Sequence, residues 1–162
     1  RQRQMCIRDR AGTVHAICKG CYIAEIQQTS DITYRIYDYD RRDKNGNPRE
    51  LHTELATDVI NFCEQKQHSI HYHQHENHTE ELVSCNYFTT NYLKFDKEVE
   101  KDYIELDSFV IYMCLEGNFT LVYDVDKTVK VNKGETILVP AILKNLFLIP
   151  ETEAEILEIY IR

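Results

Sequence analysis

The chain has 162 residues, of which 43% are hydrophobic and 28% are charged, and this balance is typical of a globular protein rather than a disordered one. No apolar run approaches the roughly 20 residues that a membrane-spanning helix needs, so the sequence predicts no membrane partner. The net charge of −8 disfavours a protein that binds the phosphate backbone of a nucleic acid, because like charges repel.

The first ten residues, RQRQMCIRDR, differ from the rest of the chain. They hold four Arg and one Asp, and no helical or strand periodicity runs through them. A basic N-terminal arm is one interpretation, but we favour a translated sequencing-adaptor remnant, because the pattern of a folded domain begins abruptly at Ala11. We therefore expect residues 1–10 to be non-native. The six scattered cysteines and the lack of a visible signal peptide predict free thiols in a reducing cytoplasm.

Residues 11–63 begin with three predicted strands, each rich in β-branched or aromatic residues and bounded by turn signals. The predicted strands are residues 13–17, 22–27 and 32–38. One polar or charged residue lies in the middle of each strand, which is typical of a barrel interior that carries a site. After a predicted turn at residues 44–48, apolar residues recur at helical spacing and predict a helix over residues 50–63.

Residues 64–84 are polar and His-rich, and they predict a linker or exposed loop. From residue 85 onward, short apolar runs alternate with turn signals such as residues 116–118, which predicts a β-sandwich or barrel over residues 85–162. The runs are residues 87–93, 109–115, 119–123, 128–131, 136–139, 146–149 and 156–161. Because no histidine follows His78, we expect this region to be a structural module without a metal site, with Leu138 in its core.

Two segments share the spacing of the second cupin motif, Gly-x5-Pro-x-Gly-x2-His. Residues 134–141 keep the glycine and the proline, and residues 11–15 carry the end of the motif with His15. Aligning the two segments places Asn145 where His15 stands. We therefore expect a mainly β cupin chain, the RmlC-like jelly roll. Part of a catalytic barrel with a helix would precede a second, cupin-like barrel that lacks the metal histidine.

A longer pattern makes the comparison specific. It comprises residues 12–17, 23–38 and 49–52, and it continues through residues 85–93 and 134–141. This pattern resembles the type I mannose-6-phosphate isomerases (phosphomannose isomerases) of the short bacterial form, over nearly all of residues 11–162. The resemblance implies a zinc-dependent aldose–ketose isomerase that interconverts mannose 6-phosphate and fructose 6-phosphate through an enediol. It also implies that this chain is a C-terminal fragment of roughly half the enzyme, inactive alone.

The resemblance implies roles for three residues, and the position of a fourth adds another. In this family zinc is held by a Gln-x-His pair, a Glu and a later His. His15 matches the later His, while the other three ligands are implied to belong to a missing N-terminal half. Arg35 matches the active-site arginine, and Glu25 matches a carboxylate at the edge of the same pocket. Arg41, beside Arg42, lies just past the predicted Arg35 strand, and from this position it is expected to meet the phosphate of the substrate, with an exposed, solvated pair of arginines as the simpler alternative.

Simpler interpretations stay open for these residues taken singly. His15 could be a structural, hydrogen-bonded histidine, and Arg35 could pair with Glu25 inside the sheet. For the whole protein, the alternatives are a non-catalytic sugar-binding or regulatory cupin and a metal-dependent cupin oxygenase. The His-rich run at residues 71–78 is a weaker candidate, because it lies in the polar linker without hydrophobic support. The CxxC motif at residues 18–21 is also weaker, because it has no second pair of ligands at a suitable spacing.

Overall fold

The computed structural model describes residues 6–30, 32–63 and 69–162. The chain divides into two compact units: residues 7–68, here the N-terminal unit, and residues 1–6 with 69–162, here the C-terminal unit. No helix in the described part of the chain is long and apolar enough to cross a membrane. Residues 1–5 of the segment predicted to be non-native lie outside the described residues, and Cys6–Ile7 forms a short strand, β1.

The C-terminal unit is built from β-strands. They are β2 (Ser69–Ile70), β3 (His78–Ser84), β4 (Thr89–Phe95), β5 (Val99–Asp102), β6 (Val110–Tyr123), β7 (Lys127–Asn132), β8 (Thr136–Val139) and β9 (Asn145–Tyr160). The pairs among β3 to β9 are antiparallel. Strand β2 pairs with β1. The larger sheet follows the order β3-β4-β9-β6-β7, with β5 beside β9 and β8 beside β6. The last seven residues of the predicted linker therefore form a strand, and the predicted division at residues 64–84 stays a prediction.

The two longest strands, β6 and β9, pair along a continuous ribbon from Val110 with Tyr160 to Tyr123 with Leu146. Strands β4 and β8 flank one half of this ribbon, and β5 and β7 flank the other half. Rings from the two halves meet edge to face in the core. The buried core residues are Leu93, Phe95, Tyr103, Val110, Tyr112, Cys114, Phe119, Leu121, Val131, Val139, Leu146, Leu148, Ala154 and Ile156. The Phe95 and Phe119 ring centroids lie 5.8 Å apart.

The predicted turn at residues 116–118 is wrong, because β6 continues through it. The pairing register of β6 with β9 shifts twice, between Cys114 and Glu116 and between Gly117 and Phe119. Gly117 has a φ of +70° there, and a Cβ atom at this position would overlap the carbonyl oxygen of Glu153. A glycine thus permits a close backbone approach and a bulge inside one long strand, where the sequence suggested an end.

The expectation that Leu138 lies in the core is also wrong. Leu138 is 60% exposed, whereas the next residue, Val139, is 3% exposed and belongs to the core. Successive side chains of a strand point to opposite faces, so only one of the two can enter the interior. The apolar character of residues 136–139 predicts burial of the whole run. In the structure, only one face of β8 packs against the core.

The N-terminal unit contains helix α1 (Thr53–Val59), which is shorter than the predicted helix over residues 50–63. It begins after His52 and ends at Val59, because the next residue, Ile60, has an extended backbone with a ψ of 129°. Ala56 is buried, but the apolar side chains whose spacing predicted the helix are exposed. These exposed side chains are Leu51, Leu55, Val59 and Phe62.

The three strands predicted over residues 13–38 are absent from the described residues of this region. A strand needs a hydrogen-bonded neighbour, and its propensity reflects packing against that neighbour more than an intrinsic backbone preference. The described residues 8–30 and 32–63 hold one isolated bridge, between Arg42 and Pro48. Large apolar side chains of the region remain exposed, among them Val14, Ile17, Tyr22, Ile23, Ile32 and Tyr37.

Candidate functional site

Contacts around Arg35 join this residue to the start of helix α1. The backbone N–H of Arg35 donates to Nδ1 of His52 at 3.1 Å, and the N–H of His52 donates to the carbonyl oxygen of Arg35 at 2.7 Å. The guanidinium of Arg35 donates through Nη1 to the carbonyl oxygen of Glu50 at 3.4 Å. Both the backbone and the side chain of Arg35 are therefore held in place.

A carboxylate beside Arg35 is shared with a second arginine. Asp38, which is 11% exposed, accepts a hydrogen bond at Oδ2 from Nε of Arg49 at 2.7 Å and another at Oδ1 from Nη2. Nε of Arg35 lies 3.9 Å from Oδ1. The hydrogen bond from Arg49 lowers the pKa of Asp38, with the charges of Arg49, Arg35 and Arg41 acting in the same direction. Asp38 is thus a fixed anion that orients two guanidinium groups.

Arg41 and Arg42 lie just beyond this cluster and differ in their contacts. Arg42 donates to the carbonyl oxygen of Gly46 at 3.1 Å, and its guanidinium lies 3.7 Å from the carboxylate of Asp40. Arg41 lies over the ring of Tyr39, with its guanidinium carbon 6.0 Å from the ring centroid. Within the described residues Arg41 has no ion-pair partner, so its charge is the more available of the two.

The turn predicted at residues 44–48 is confirmed. Oδ1 of Asp43 accepts hydrogen bonds from the backbone N–H groups of Asn45 at 2.8 Å and Asn47 at 2.9 Å. Gly46 has a φ of +85°, which glycine adopts without steric cost. The turn brings Arg49 back to Asp38 and so builds the arginine cluster.

The segment that carries His15 is anchored at the end of helix α1. The N–H of Asn61 donates to the carbonyl oxygen of Gly12 at 2.9 Å, and a Cβ atom at Gly12 would lie 2.5 Å from the carbonyl oxygen of Val59. His15 itself is 59% exposed. Its Nδ1 lies 3.2 Å from the carbonyl oxygen of Thr13 and 3.7 Å from the carboxylate of Asp9.

The described contacts link some of the predicted site residues and not others. Glu25 is exposed, and in the part of the chain that the structure describes it makes no hydrogen bond or ion pair, so the ion pair considered between Arg35 and Glu25 does not form. His15 shares no hydrogen-bond or ion-pair partner with Arg35 across residues 6–30 and 32–63. Asp38 links Arg35 and Arg41, because its carboxylate lies 3.9 Å from Nε of Arg35 and its carbonyl oxygen accepts the N–H of Arg41 at 3.0 Å. No contact within the described residues links His15 or Glu25 to either arginine.

The described residues do not form a zinc site by themselves. Zinc in proteins takes four ligands, or three and a water, and no group of three or more His, Cys, Asp or Glu side chains in these ranges could hold a metal ion. In the His-rich run, His75 and His78 both face one oxygen of Glu80, at 2.6 Å and 3.4 Å. This chain therefore does not supply a complete zinc shell within its described part.

A buried ion pair lies in the C-terminal unit. Nζ of Lys101 on β5 lies 2.9 Å from Oε1 of Glu158 on β9, and the two side chains are 9% and 3% exposed. Nδ2 of Asn91 donates to Oε2 of Glu158 at 2.8 Å, and Lys101 also donates to Oγ1 of Thr79 at 2.8 Å. Tyr103 donates its hydroxyl proton to Oε1 of the carboxylate.

Burial and charge act in opposite directions on Glu158. Burial alone would raise the pKa of its carboxyl group, but the Lys101 ammonium and the hydrogen bonds from Tyr103, Asn91 and Lys101 outweigh it, so the pKa is lowered. Burial raises the pKa of Tyr103 and of Tyr112, so both phenols keep their protons. Tyr112 then donates to the oxygen of Tyr103, which completes a chain of hydrogen bonds to the carboxylate.

Sequence reasoning missed several residues of both clusters. Asp38, Arg49 and His52 lie inside the pattern that carries the family resemblance, but no role was expected for them. Opposite charges three residues apart, as at Arg35 and Asp38, are a signal that could have indicated the pairing. Glu158 has a different signal, because it is a lone charge inside an otherwise apolar strand end.

Known proteins share this chain's sequence over most of its length, although no protein-family model matches it. Mannose-6-phosphate isomerase ManA of Bacillus subtilis (strain 168) is 35% identical over 132 residues, 80% of this chain and 41% of ManA. YvyI of the same strain, whose name refers to the same activity, is 36% identical over 135 residues, 81% of this chain and 41% of YvyI. The crystal structure of the mannose 6-phosphate isomerase from Bacillus subtilis matches with a TM-score of 0.64 and 29% identity, covering 82% of this chain and 41% of that one.

These matches cover the same share of each relative's length. The chain spans about two fifths of the length of the curated relatives, and the matched part is their C-terminal part. The mainly β, cupin-type fold predicted from the sequence is confirmed. The predicted family is confirmed as well: the chain belongs to the mannose-6-phosphate isomerases and corresponds to the C-terminal two fifths of its relatives.

Proposed function

We propose that this chain carries the C-terminal part of a zinc-dependent isomerase that interconverts mannose 6-phosphate and fructose 6-phosphate. The observation that carries the proposal is the fixed guanidinium of Arg35, held by Glu50 and Asp38 in a chain that is 35% identical to ManA over four fifths of its length. The substrate partner is a small-molecule sugar phosphate, and the compartment is the cytoplasm, which the six free cysteines support.

Arg35 is proposed to stabilise the charge that develops during the reaction. Aldose–ketose isomerisation removes a proton from the carbon next to a carbonyl group, and the electron pair moves to oxygen to give an enediolate. A guanidinium has a permanent charge and a planar set of donors, which suits a developing oxyanion. Asp38 and Glu50 occupy Nε and Nη1, while Nη2 has no hydrogen-bond partner within the described residues. Nη2 is therefore the donor we assign to the substrate oxygen.

Three further residues take proposed roles. Arg41 would bind the phosphate group, because its charge is not committed to an ion pair within the described ranges and phosphate is dianionic. Glu25 would contribute a carboxylate at the edge of the same pocket, and a carboxylate is a group that can transfer a proton. His15 would hold the zinc ion as one ligand, and the other ligands would come from a preceding part of the protein. Bound zinc supplies a Lewis acid for the sugar oxygens.

The exposed apolar side chains of the N-terminal unit support a preceding part. Residues such as Val14, Ile23 and Leu55 are about half exposed, and burying the remaining half of each would contribute about 0.7–1.5 kcal/mol. A neighbouring half barrel would cover this surface and would give residues 13–38 the hydrogen-bonded partners that strands require. We propose that the segment preceding the matched region in ManA is the counterpart of that half.

One observation favours a second candidate function, a non-catalytic sugar-binding or regulatory cupin. His15 is 59% exposed, and no contact in the described part of the chain links it to the arginine cluster, so the described residues could bind a sugar phosphate without converting it. An isomerase requires zinc and turnover together, whereas a binding domain requires neither. The relatives named as isomerases favour the catalytic proposal over this alternative and over an oxygenase.

Zinc content tests the proposal. We define the joined protein as residues 11–162 of this chain placed after the part of ManA that the chain does not match. The chain alone should bind zinc weakly, because one imidazole cannot close a tetrahedral site, and the joined protein should hold about one zinc ion per chain. His15→Ala in the joined protein should lose that zinc. Elemental analysis after dialysis measures the zinc content of each protein. His71→Ala in the joined protein is the matched control and should keep the metal. A His15→Ala protein with full zinc content would contradict the ligand role.

A further inference from the structure

We propose that His52 is a positioning residue that sets the place of Arg35 through the hydrogen bond between the Arg35 backbone and the imidazole ring. This inference rests on the proposed function, because it assigns a determinant of the same site. Its geometry stands by itself: the two residues exchange two hydrogen bonds, of 3.1 Å and 2.7 Å, as paired residues of antiparallel strands do. In this pair a ring nitrogen replaces one of the two backbone carbonyl groups.

The position of His52 in helix α1 makes this use of its ring unusual. His52 is the N-cap residue, and its carbonyl oxygen accepts the N–H of Ala56 at 2.8 Å. An N-cap side chain typically accepts a hydrogen bond from an N–H of the first helical turn. The His52 side chain makes no such bond, and its Nδ1 accepts the N–H of Arg35 instead. The ring therefore stabilises the Arg35 segment rather than the helix.

The hydrogen bond to the His52 ring determines which ring nitrogen carries the proton in the neutral tautomer. Because Nδ1 accepts a hydrogen bond, the proton of the neutral ring lies on Nε2, which is 3.9 Å from a carboxylate oxygen of Glu50. The ring of Tyr34 packs edge-on against His52 with centroids 6.1 Å apart. Glu50 also accepts the guanidinium of Arg35 at its carbonyl oxygen. The segment Glu50–His52 thus holds Arg35 at both its backbone and its side chain.

Two substitutions separate positioning from helix stability. His52→Ser removes the ring nitrogen but supplies a good N-cap, so the thermal melting of the protein should be unchanged or slightly higher. His52→Asn places an amide oxygen near the position of Nδ1 and should restore the contact with Arg35. If His52 served only the helix, the two substitutions would change the thermal melting of the protein and would leave the Arg35 contact unaffected.

Amide hydrogen exchange measured by NMR on the 162-residue chain gives the first readout. The Arg35 amide should exchange about tenfold faster in His52→Ser than in the wild type and should recover in His52→Asn. The Arg41 amide, which donates to the carbonyl oxygen of Asp38 at 3.0 Å, is the internal control and should not change. Equal Arg35 exchange in His52→Ser and the wild type would overturn the proposal, whatever the activity of the site.

Turnover in the joined protein gives the second readout. His52→Ser should lower kcat about tenfold or more with zinc content unchanged, and His52→Asn should recover most of it, because Arg35 returns to its place. A His52→Ser protein with wild-type kcat would overturn the positioning role even if exchange is faster. If the unsubstituted joined protein is inactive, the proposed function fails, and the exchange measurement still decides whether His52 holds Arg35.

Discussion

Replacing Lys101 with Met should lower the free energy of unfolding of the C-terminal unit by about 3–5 kcal/mol at neutral pH. The ammonium of Lys101 and the carboxylate of Glu158 are 2.9 Å apart and almost fully buried. Met fills a similar volume but leaves the carboxylate without its counter-charge, and burial of an unpaired charge is strongly unfavourable. Denaturation by urea, followed by circular dichroism, measures the difference.

A surface ion pair provides the matched control. Nζ of Lys94 also lies 2.9 Å from a carboxylate, that of Glu153, but the two side chains are 25% and 50% exposed. Lys94→Met should therefore cost less than about 1 kcal/mol. The double variant Lys101→Met/Glu158→Gln removes both buried charges and should recover most of the loss. A Lys101→Met cost as small as the Lys94→Met cost would contradict the importance of the buried pair.

The loss in the free energy of unfolding caused by Lys101→Met should also depend on pH. In the wild type the folded pKa of Glu158 is lowered, so its stabilisation is present above the ordinary value of 4.5 and is lost as the pH falls through the folded pKa. Without Lys101 burial is the largest remaining influence, and it raises the folded pKa above the unfolded value. The folded variant then takes up a proton more readily than the unfolded one. The stability gap between wild type and variant should narrow from pH 7 to pH 4; a constant gap would contradict this account.

The sequence predicted strands best where the alternation of apolar and polar residues matches the buried and exposed faces of the sheet. Alternating apolar residues and turn signals located most of β4, β7 and β8, and the family resemblance identified the cupin type of fold. It failed where a single glycine has two interpretations, since Gly117 marks a bulge and not a turn. It also missed β5, whose residues Val99–Asp102 are mostly charged and form a strand because they pair with β9. Pairing is a long-range property that local composition does not contain.

For the candidate site, too, the sequence indicated individual residues but not the long-range contacts around them. Arg35 was expected from the resemblance, and Arg41 from its position just past the predicted Arg35 strand. The surroundings of Arg35 depend on Asp38 and on Arg49 and His52, which the turn at residues 44–48 brings back toward it. The partner of a buried charge is equally hidden in the sequence, because Lys101 and Glu158 are 57 residues apart along the chain and meet only when β5 pairs with β9. Local patterns indicate which residues are polar, and the fold decides which of them meet.

Arg35→Ala in the joined protein should reduce turnover of mannose 6-phosphate by about 100-fold or more. The substitution removes a fixed, charged donor from the oxygen on which charge develops, and one such donor is worth on the order of 100-fold or more in kcat. Zinc content should stay near one ion per chain, because Arg35 is not a metal ligand. His15→Ala should instead lose zinc and turnover together, so metal analysis beside kinetics separates the two roles.

A surface arginine is the control for this variant. Arg162 lies 3.2 Å from the carboxylate of Glu81 in the C-terminal unit and is well exposed. Arg162→Ala should leave both turnover and zinc content unchanged, since an exposed ion pair of this kind contributes little. If Arg35→Ala proves as active as Arg162→Ala, the charge-stabilising role of Arg35 is wrong.

The most direct test of the central claim is a coupled assay of mannose 6-phosphate conversion to fructose 6-phosphate, made on the joined protein and on the 162-residue chain in parallel. The account predicts steady turnover by the joined protein and none by the chain alone, because the Arg35 cluster needs the zinc that a preceding part of the protein helps to hold. A joined protein that is folded and zinc-loaded but converts no substrate, or a chain that turns over by itself, would contradict it.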